Sequence, residues 1–335
     1  MPLPGDRRAN HRAVRDGSAN PRAVRPVVRS PTGTAHRRAR PCVTAPIGVR
    51  VKPAPFEYHR AHDVRGAVEL LTELGDDAKL LAGGQSLVAM MNFRLARPAA
   101  LVDVGRVDGL RYLRSDGAAL RIGALTTHHE VQTARAPRLP DSFGVLSRAA
   151  RWIGHYPIRT RGTVGGSLAH ADSTAEWCLL AVLLDAEIVA ESTGGRRSIP
   201  AAEFFSGFLD TALRPDEMIV EVVFPCPAPH AALTEFAQRA GDFAIVAAAV
   251  DLDVADGVCR GGRIALGGVD AVPVRVPEAE AVLSGAELGD ELFTACADAA
   301  ATAIEPGDDA HGSADYRRML TRTLVARACR EATAV

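Results

Sequence analysis

KLLAGGQSL, residues 79–87, carries an apolar run into a double glycine and out through two small polar residues. A second glycine pair stands in RTRGTVGGSLAHAD, residues 159–172. A turn without Cβ atoms after a buried strand lets a ligand approach backbone N–H groups closely, and the anion such groups usually hold is a phosphate. Two such turns, each followed by small hydroxyl residues, fit one ligand with two phosphates or one long ligand spanning both. Neither stretch ends in the Gly-Lys-Ser/Thr of a Walker A loop. Gly162-Thr163-Val164-Gly165-Gly166 has the wrong spacing for a dinucleotide fingerprint. Taken singly, each pair reads equally well as a tight turn with no ligand.

The surroundings of the first pair are an α/β unit. Asp63 is a natural N-cap for a helix whose apolar face is Val64, Ala67, Val68, Leu70, Leu71 and Leu74, ended by Gly75. Ala78–Ala82 reads as a buried strand, Ser86–Leu95 as helix-like, and residues 101–104 as another strand, so parallel pairing is expected. Further on, residues 120–124 alternate as a strand, Thr126 or Thr127 caps a helix through His128, and residues 142–154 read as a helix. Asp185–Ala190 and Arg196–Ile199 form a hairpin, Met218–Phe224 a strand, and Cys226–His230 a linker. The last hundred residues put strands first, Ala244–Val254 and Arg260–Gly267 about a turn at Asp256-Gly257. Two alanine-rich helices follow, around 290–304 and 315–333.

The chain has 335 residues and a net charge of −1 that hides an asymmetry. Residues 1–50 carry eleven arginines against Asp6 and Asp16, with no apolar periodicity, which reads as a disordered extension. No aromatic residue interrupts those arginines to stack on bases, so nucleic-acid binding is not expected. No export signal and no membrane-spanning stretch is present, and a cytoplasmic protein is expected. Cys42, Cys178, Cys226, Cys259, Cys296 and Cys329 lack the spacing of a zinc or iron–sulfur site and read as reduced thiols. His128-His129 face apart on a helix, so no metal is expected there. His170 and Asp172 read as a strand-like pair that lines a pocket or hydrogen-bonds structurally, and Arg239 with Asp242 as an ion pair.

In order, the stretches are far more specific than either glycine pair. Pro55-Phe56-Glu57-Tyr58, LLAGGQSL, RLARPAALVDVGRV (94–107), LRIGALTTHHEV (120–131), RGTVGGSLAHADSTAEW (161–177), FFSGFLDTAL (204–213), RAGDFAIVAAA (239–249) and RIALGGV (263–269) resemble the FAD-binding medium subunit of the molybdenum hydroxylases. Aerobic carbon monoxide dehydrogenase and the flavin segment of xanthine dehydrogenase typify that family. The resemblance runs from about Lys52 to Arg330.

It implies an α+β chain: a two-subdomain FAD-binding fold of the vanillyl-alcohol oxidase and para-cresol methylhydroxylase type, over residues 51–107 and 108–226. An α+β domain of antiparallel sheet and helices is implied over 230–333. Carried over residue by residue, Leu80, Leu81, Ala82, Gly83, Gly84, Gln85, Ser86 and Leu87 would cradle the FAD pyrophosphate. Thr163, Val164, Gly165, Gly166 and Ser167 would form a second turn facing phosphate and ribityl. Glu176, Ile219 and Ile153 would stand beside the ribityl and the isoalloxazine. Ser173-Thr174 replaces the family's usual Pro-Ala, and no lysine stands near residues 236–238 where some relatives carry one.

The resemblance further implies an electron-transfer role. FAD would receive electrons from the [2Fe-2S] clusters of a small partner and pass them to a final acceptor. A molybdopterin-binding large subunit would oxidise the substrate, and the whole would be a dimer of heterotrimers. No catalytic acid, base or metal is required of this chain. The competing class is a self-contained FAD-dependent oxidase or dehydrogenase of a small substrate. The Ala-, Val- and Gly-rich C-terminal hundred residues disfavour it.

Overall fold

The computed structural model describes residues 52–334; the arginine-rich segment 1–50 and Cys42 lie outside the described residues. The first layer is a parallel sheet in the order β1–β3–β2, built from β1 (Glu57–Arg60), β2 (Ala78–Leu81) and β3 (Ala100–Asp103). Helix α1 (Val64–Leu74) starts where the Asp63 carboxylate accepts the Gly66 N–H at 2.7 Å and stops at Gly75, whose φ is +72°. It buries Ala67, Val68 and Leu71 against the sheet. Helix α2 (Leu87–Asn92) is shorter than the expected 86–95, because Arg94 takes a left-handed φ of +59° and turns the chain back.

The second layer is an antiparallel sheet in the order β4–β5–β10–β6–β7. Its strands are β4 (Leu113–Asp116), β5 (Ala119–Gly123), β6 (Glu187–Ser192), β7 (Gly195–Pro200) and β10 (Met218–Phe224). Between β5 and β6 run α3 (His128–Thr133), α4 (Gly144–Ala149), α5 (Tyr156–Arg159), α6 (Val164–His170) and α7 (Glu176–Leu183). Between β7 and β10 lie α8 (Ala201–Phe204) and a small hairpin of β8 (Phe205–Gly207) and β9 (Asp210–Thr211). The helix expected over 142–154 is replaced by a 3-10 turn at Asp141–Phe143 followed by α4. Its apolar face ends at Ala150, Trp152 is exposed, and Gly154 reverses the chain at φ +47°.

Helix α7 has all eight residues buried, so it has no polar face. One side packs on α6 and α8 and the other on the third layer. That layer is the antiparallel path β11 (Ala231–Phe236), β12 (Val246–Ala255), β13 (Val258–Gly267) and β14 (Val274–Arg275), with β15 (Ala286–Glu287) off β13. Asp256 and Gly257, at φ +54° and +78°, make the two-residue hairpin that joins β12 to β13. Helices α9 (Pro277–Leu283), α10 (Asp290–Ala303) and α11 (Ala314–Thr333) cover the far face. Strand β11 went unforeseen because Thr234 and Glu235 interrupt its apolar run while being buried themselves.

Candidate functional site

The segment after β2 leaves the sheet with donors to spare. Among the described residues, the backbone N–H groups of Gly83, Gly84, Gln85 and Ser86 meet no acceptor in the chain. The Gln85 amide folds back to donate to the Gly83 carbonyl at 2.9 Å, and Gly84 sits at φ +69°. A run of unpaired N–H groups on a bent backbone is an anion cradle.

The second glycine segment is built differently from the expected bare turn. It is the first turn of α6, capped by Thr163, whose hydroxyl accepts the Gly166 N–H at 3.1 Å. Val164 N–H donates to the Thr126 carbonyl at 3.0 Å, Gly165 N–H to the Ala124 carbonyl at 2.9 Å and Ser167 N–H to the Thr163 carbonyl at 3.0 Å. Thr127 and Thr163 form an antiparallel bridge, so α3 and α6 start back to back. The N–H groups of residues 164–167 thus already have acceptors inside the protein. The segment therefore offers shape and the Ser167 side chain.

The glycines serve close approach of chain to chain. A Cβ on Gly83 would lie 2.1 Å from the Arg161 carbonyl oxygen, and one on Gly165 2.7 Å from the Ala124 Cβ. One on Gly162 would lie 2.6 Å from His128 Nε2. Gly83 is thus required by the packing of the second segment, in addition to leaving its backbone bare beside the cavity.

Both segments face one cavity of about 690 Å³. Leu80, Ala82, Gly83, Gly84, Gln85, Ser86, Leu87, Ile153, Thr163, Gly165, Gly166, Ser167, Glu176 and Ile219 line it. Leu81 and Val164 do not. Leu81 Cδ1 lies 3.2 Å from where a Cβ on Gly84 would stand, and Val164 is fully buried in the core. Arg159 donates to the carbonyls of Ile153 and Gly154 at 3.0 and 2.7 Å, which sets that wall. The sequence alone assigns no site role to the walls at Leu209–Thr211, Leu213–Pro215, Glu217, Met218 and Gly241–Ala244. FFSGFLDTAL and RAGDFAIVAAA, two of the stretches that carry the family resemblance, are the signal that covers much of these walls.

His128 also lines the cavity and is almost fully buried. Its Nδ1 accepts the Trp177 indole N–H at 2.9 Å, while His129 turns edge-on to Tyr156. Burial, and then the Arg159 charge, push the His128 pKa down to about 4. A folded pKa below the ordinary 6.5 makes its contribution to stability fully present above pH 6.5 and lost as pH falls through about 4. That gap corresponds to roughly 3 kcal/mol. The stability difference between wild type and His128→Gln in urea titrations should therefore shrink between pH 6.5 and 4 and stay flat above.

His170 lies at the end of α6, in a helix and not a strand. His170 lines the cavity and makes no hydrogen bond to Asp172, whose Oδ1 accepts from the Thr174 N–H and hydroxyl. Burial lowers the His170 pKa despite the Asp172 charge. Arg239 and Asp242 meet through a backbone turn, Asp242 N–H to the Arg239 carbonyl at 3.1 Å, and not as an ion pair. Among the described residues no cluster of three His, Cys, Asp or Glu side chains could hold a metal, and the five cysteines are free thiols. No described helix is long and apolar enough to cross a membrane.

Comparison with known proteins assigns this arrangement. Residues 54–227 match the family described as the FAD binding domain in molybdopterin dehydrogenase, and residues 231–332 the CO dehydrogenase flavoprotein C-terminal domain. The chain belongs to the FAD-binding medium subunits of the molybdenum hydroxylases. Within this family it is 43% identical to the alpha subunit of the 6-hydroxypseudooxynicotine dehydrogenase complex of Paenarthrobacter nicotinovorans, over 83% of this chain and 94% of that one. The solved structure of carbon monoxide dehydrogenase from Hydrogenophaga pseudoflava, lacking the Mo-pyranopterin moiety of its molybdenum cofactor, superposes with a TM-score of 0.80 at 38% identity, covering 84% of this chain and 98% of that chain. Quinoline 2-oxidoreductase from Pseudomonas putida 86 gives a TM-score of 0.80 at 34% identity, covering 84% and 99%. The cofactor of this oxidoreductase subunit is FAD. The cavity fits it: the volume suits a large ligand, and the free N–H groups at 83–86 suit a diphosphate.

Proposed function

We propose that this chain carries FAD as the electron-transfer subunit of a heterotrimeric molybdenum hydroxylase. It receives electrons from [2Fe-2S] clusters of a small partner and passes them to a final acceptor. The substrate is oxidised on a molybdopterin-binding large subunit, and the assembly is a cytoplasmic dimer of heterotrimers. In this reading residues 51–107 and 108–226 are the two FAD-binding subdomains, and 230–333 the C-terminal flavoprotein domain.

The observation that carries the reading is the unpaired N–H run at Gly83–Ser86, opening on a cavity whose one well-buried imidazole, His128, is held neutral and already bonded to Trp177. Such a site holds a cofactor; it does not supply an acid or a base. FAD when bound supplies the exchange of electrons. The chain's own residues do the rest. The first segment holds the diphosphate, Leu80, Ile153 and Ile219 give apolar wall, and Ser167 and Glu176 give polar wall. Relatives named for different compounds align over nearly their whole length with 83–84% of this chain, which supports a role independent of the substrate.

The purified chain should retain about one FAD and show no flavin bleaching with small oxidisable compounds, but bleach when joined to its two partners and their substrate. Direct bleaching of the isolated chain by a small substrate would instead establish the self-contained oxidase.

A further inference from the structure

Glu176 and Glu235 come from different layers, α7 and the sheet it packs on. Glu176 opens α7 and lines the cavity. Glu235 lies on β11 with its side chain on the same face as Ala231 and Leu233, which pack into the core around α7. Across the sheet Glu235 pairs with Ala247, and Ala247 with Gly267. A Cβ on Gly267 would lie 2.5 Å from the Ser173 carbonyl oxygen, so the sheet is pressed against the loop that leads into α7.

Both residues are only 9% exposed. Among the described residues neither makes a salt bridge, and Glu235 Oε2 is buried with no hydrogen-bond partner. An unpaired buried carboxylate is costly, and two side by side are worse. We propose that Glu235 is a positioning residue for the FAD site: with Glu176 it forms a buried carboxyl pair that keeps a proton at neutral pH and so limits the negative charge on that wall of the cavity.

The electrostatics agree with the geometry. Burial first, then the Glu235 charge and that of Asp172, hold the Glu176 carboxyl well above the usual range. Burial alone pushes Glu235 up to about 7. Asp172 is the other charged group acting on Glu176, while Cys178, two residues along α7 and so on another side of the helix, has a thiol that burial pushes up. The strand neighbour of Glu235 is the uncharged Ala247, and Arg148 of α4, which packs against β11, donates to the Ala231 carbonyl without forming a salt bridge to Glu235. The reading rests on FAD as the ligand, an anion through its diphosphate. Protonation of the pair therefore favours the bound state.

The test has two arms on the full chain. The FAD-free protein is unfolded in urea from pH 5 to 8.5, as wild type, Glu235→Gln and Glu235→Met. Carboxyls raised in the fold stabilise below pH 4.5 and lose that contribution as pH rises through about 7. The folding equilibrium of either variant should thus gain on wild type by roughly a hundredfold between pH 5 and 8. A constant ratio overturns the proposal, and the apolar variant keeps the arm readable if the amide folds poorly.

In the second arm FAD affinity is followed by quenching of flavin fluorescence. The wild-type Kd should rise about tenfold from pH 6 to 8.5, and that of Glu235→Gln less than threefold. Parallel pH profiles would show Glu235 to be merely structural and overturn its positioning role. A wild-type chain that binds no FAD at any pH would refute the cofactor reading, while the urea arm still decides whether the pair holds its proton.

Discussion

Gly83→Ala is expected to strip the protein of FAD while leaving the C-terminal sheet folded. The added methyl would stand 2.1 Å from the Arg161 carbonyl oxygen, 2.7 Å from its carbon and 2.9 Å from Gly162 Cα. All three are backbone atoms, so no rotamer change relieves the clash. The second segment cannot yield, because His128 N–H, Val164 N–H and Gly165 N–H tie it to its neighbours at 3.1, 3.0 and 2.9 Å. The first segment must move instead, and the N–H groups of 83–86 move with it. Overpacking of this kind costs about 1–3 kcal/mol, or roughly ten- to a hundredfold in affinity. The ratio of flavin to protein absorbance after gel filtration checks it. Gly261→Ala, with open space around it, is the matched control. Full occupancy in Gly83→Ala would refute the account of the contact.

The second large effect belongs to Arg317. Its buried side chain projects from the first turn of α11 and donates to the carbonyls of Ile245 and Gly268 and to Asp309, each at 2.6 Å. It pins the start of β12 to the turn at Gly268, whose φ is +77°. Arg317→Ala leaves two carbonyls without donors and opens a void, for a loss of about 3 kcal/mol in urea unfolding. Asp309 is half exposed and rehydrates. Arg317→Lys should recover little, because one ammonium cannot reproduce the fork. FAD affinity should also fall, since Gly241–Ala244 at the cavity wall runs directly into the pinned strand. A loss below about 1 kcal/mol in Arg317→Ala would exclude this role.

These two sites mark where the sequence was readable and where it was not. Asp63 and Gly75 announce α1, and Asp256-Gly257 announces a hairpin, because each signal is local and chemical. The glycine pairs, too, stood out at once, and their stretches do border one cavity. Their roles were hidden. Val164–His170 is a helix despite two glycines, because Thr163 caps it and Thr126 and Ala124 accept its first N–H groups. Those acceptors lie some forty residues away and leave no local mark. Glu235 was missed for a like reason: nothing in LTEF shows that this carboxyl is buried on the core-facing side of its strand.

The contact of Gly83 with Arg161 reaches across the length of chain that holds β3, β4, β5 and α3 to α5. Contacts so distant in sequence form only after the intervening chain has closed. A nascent chain stopped at its first hundred residues would own the glycine loop but have nothing to brace it. Cofactor capture by this protein is therefore a report that its whole flavin-facing half has assembled.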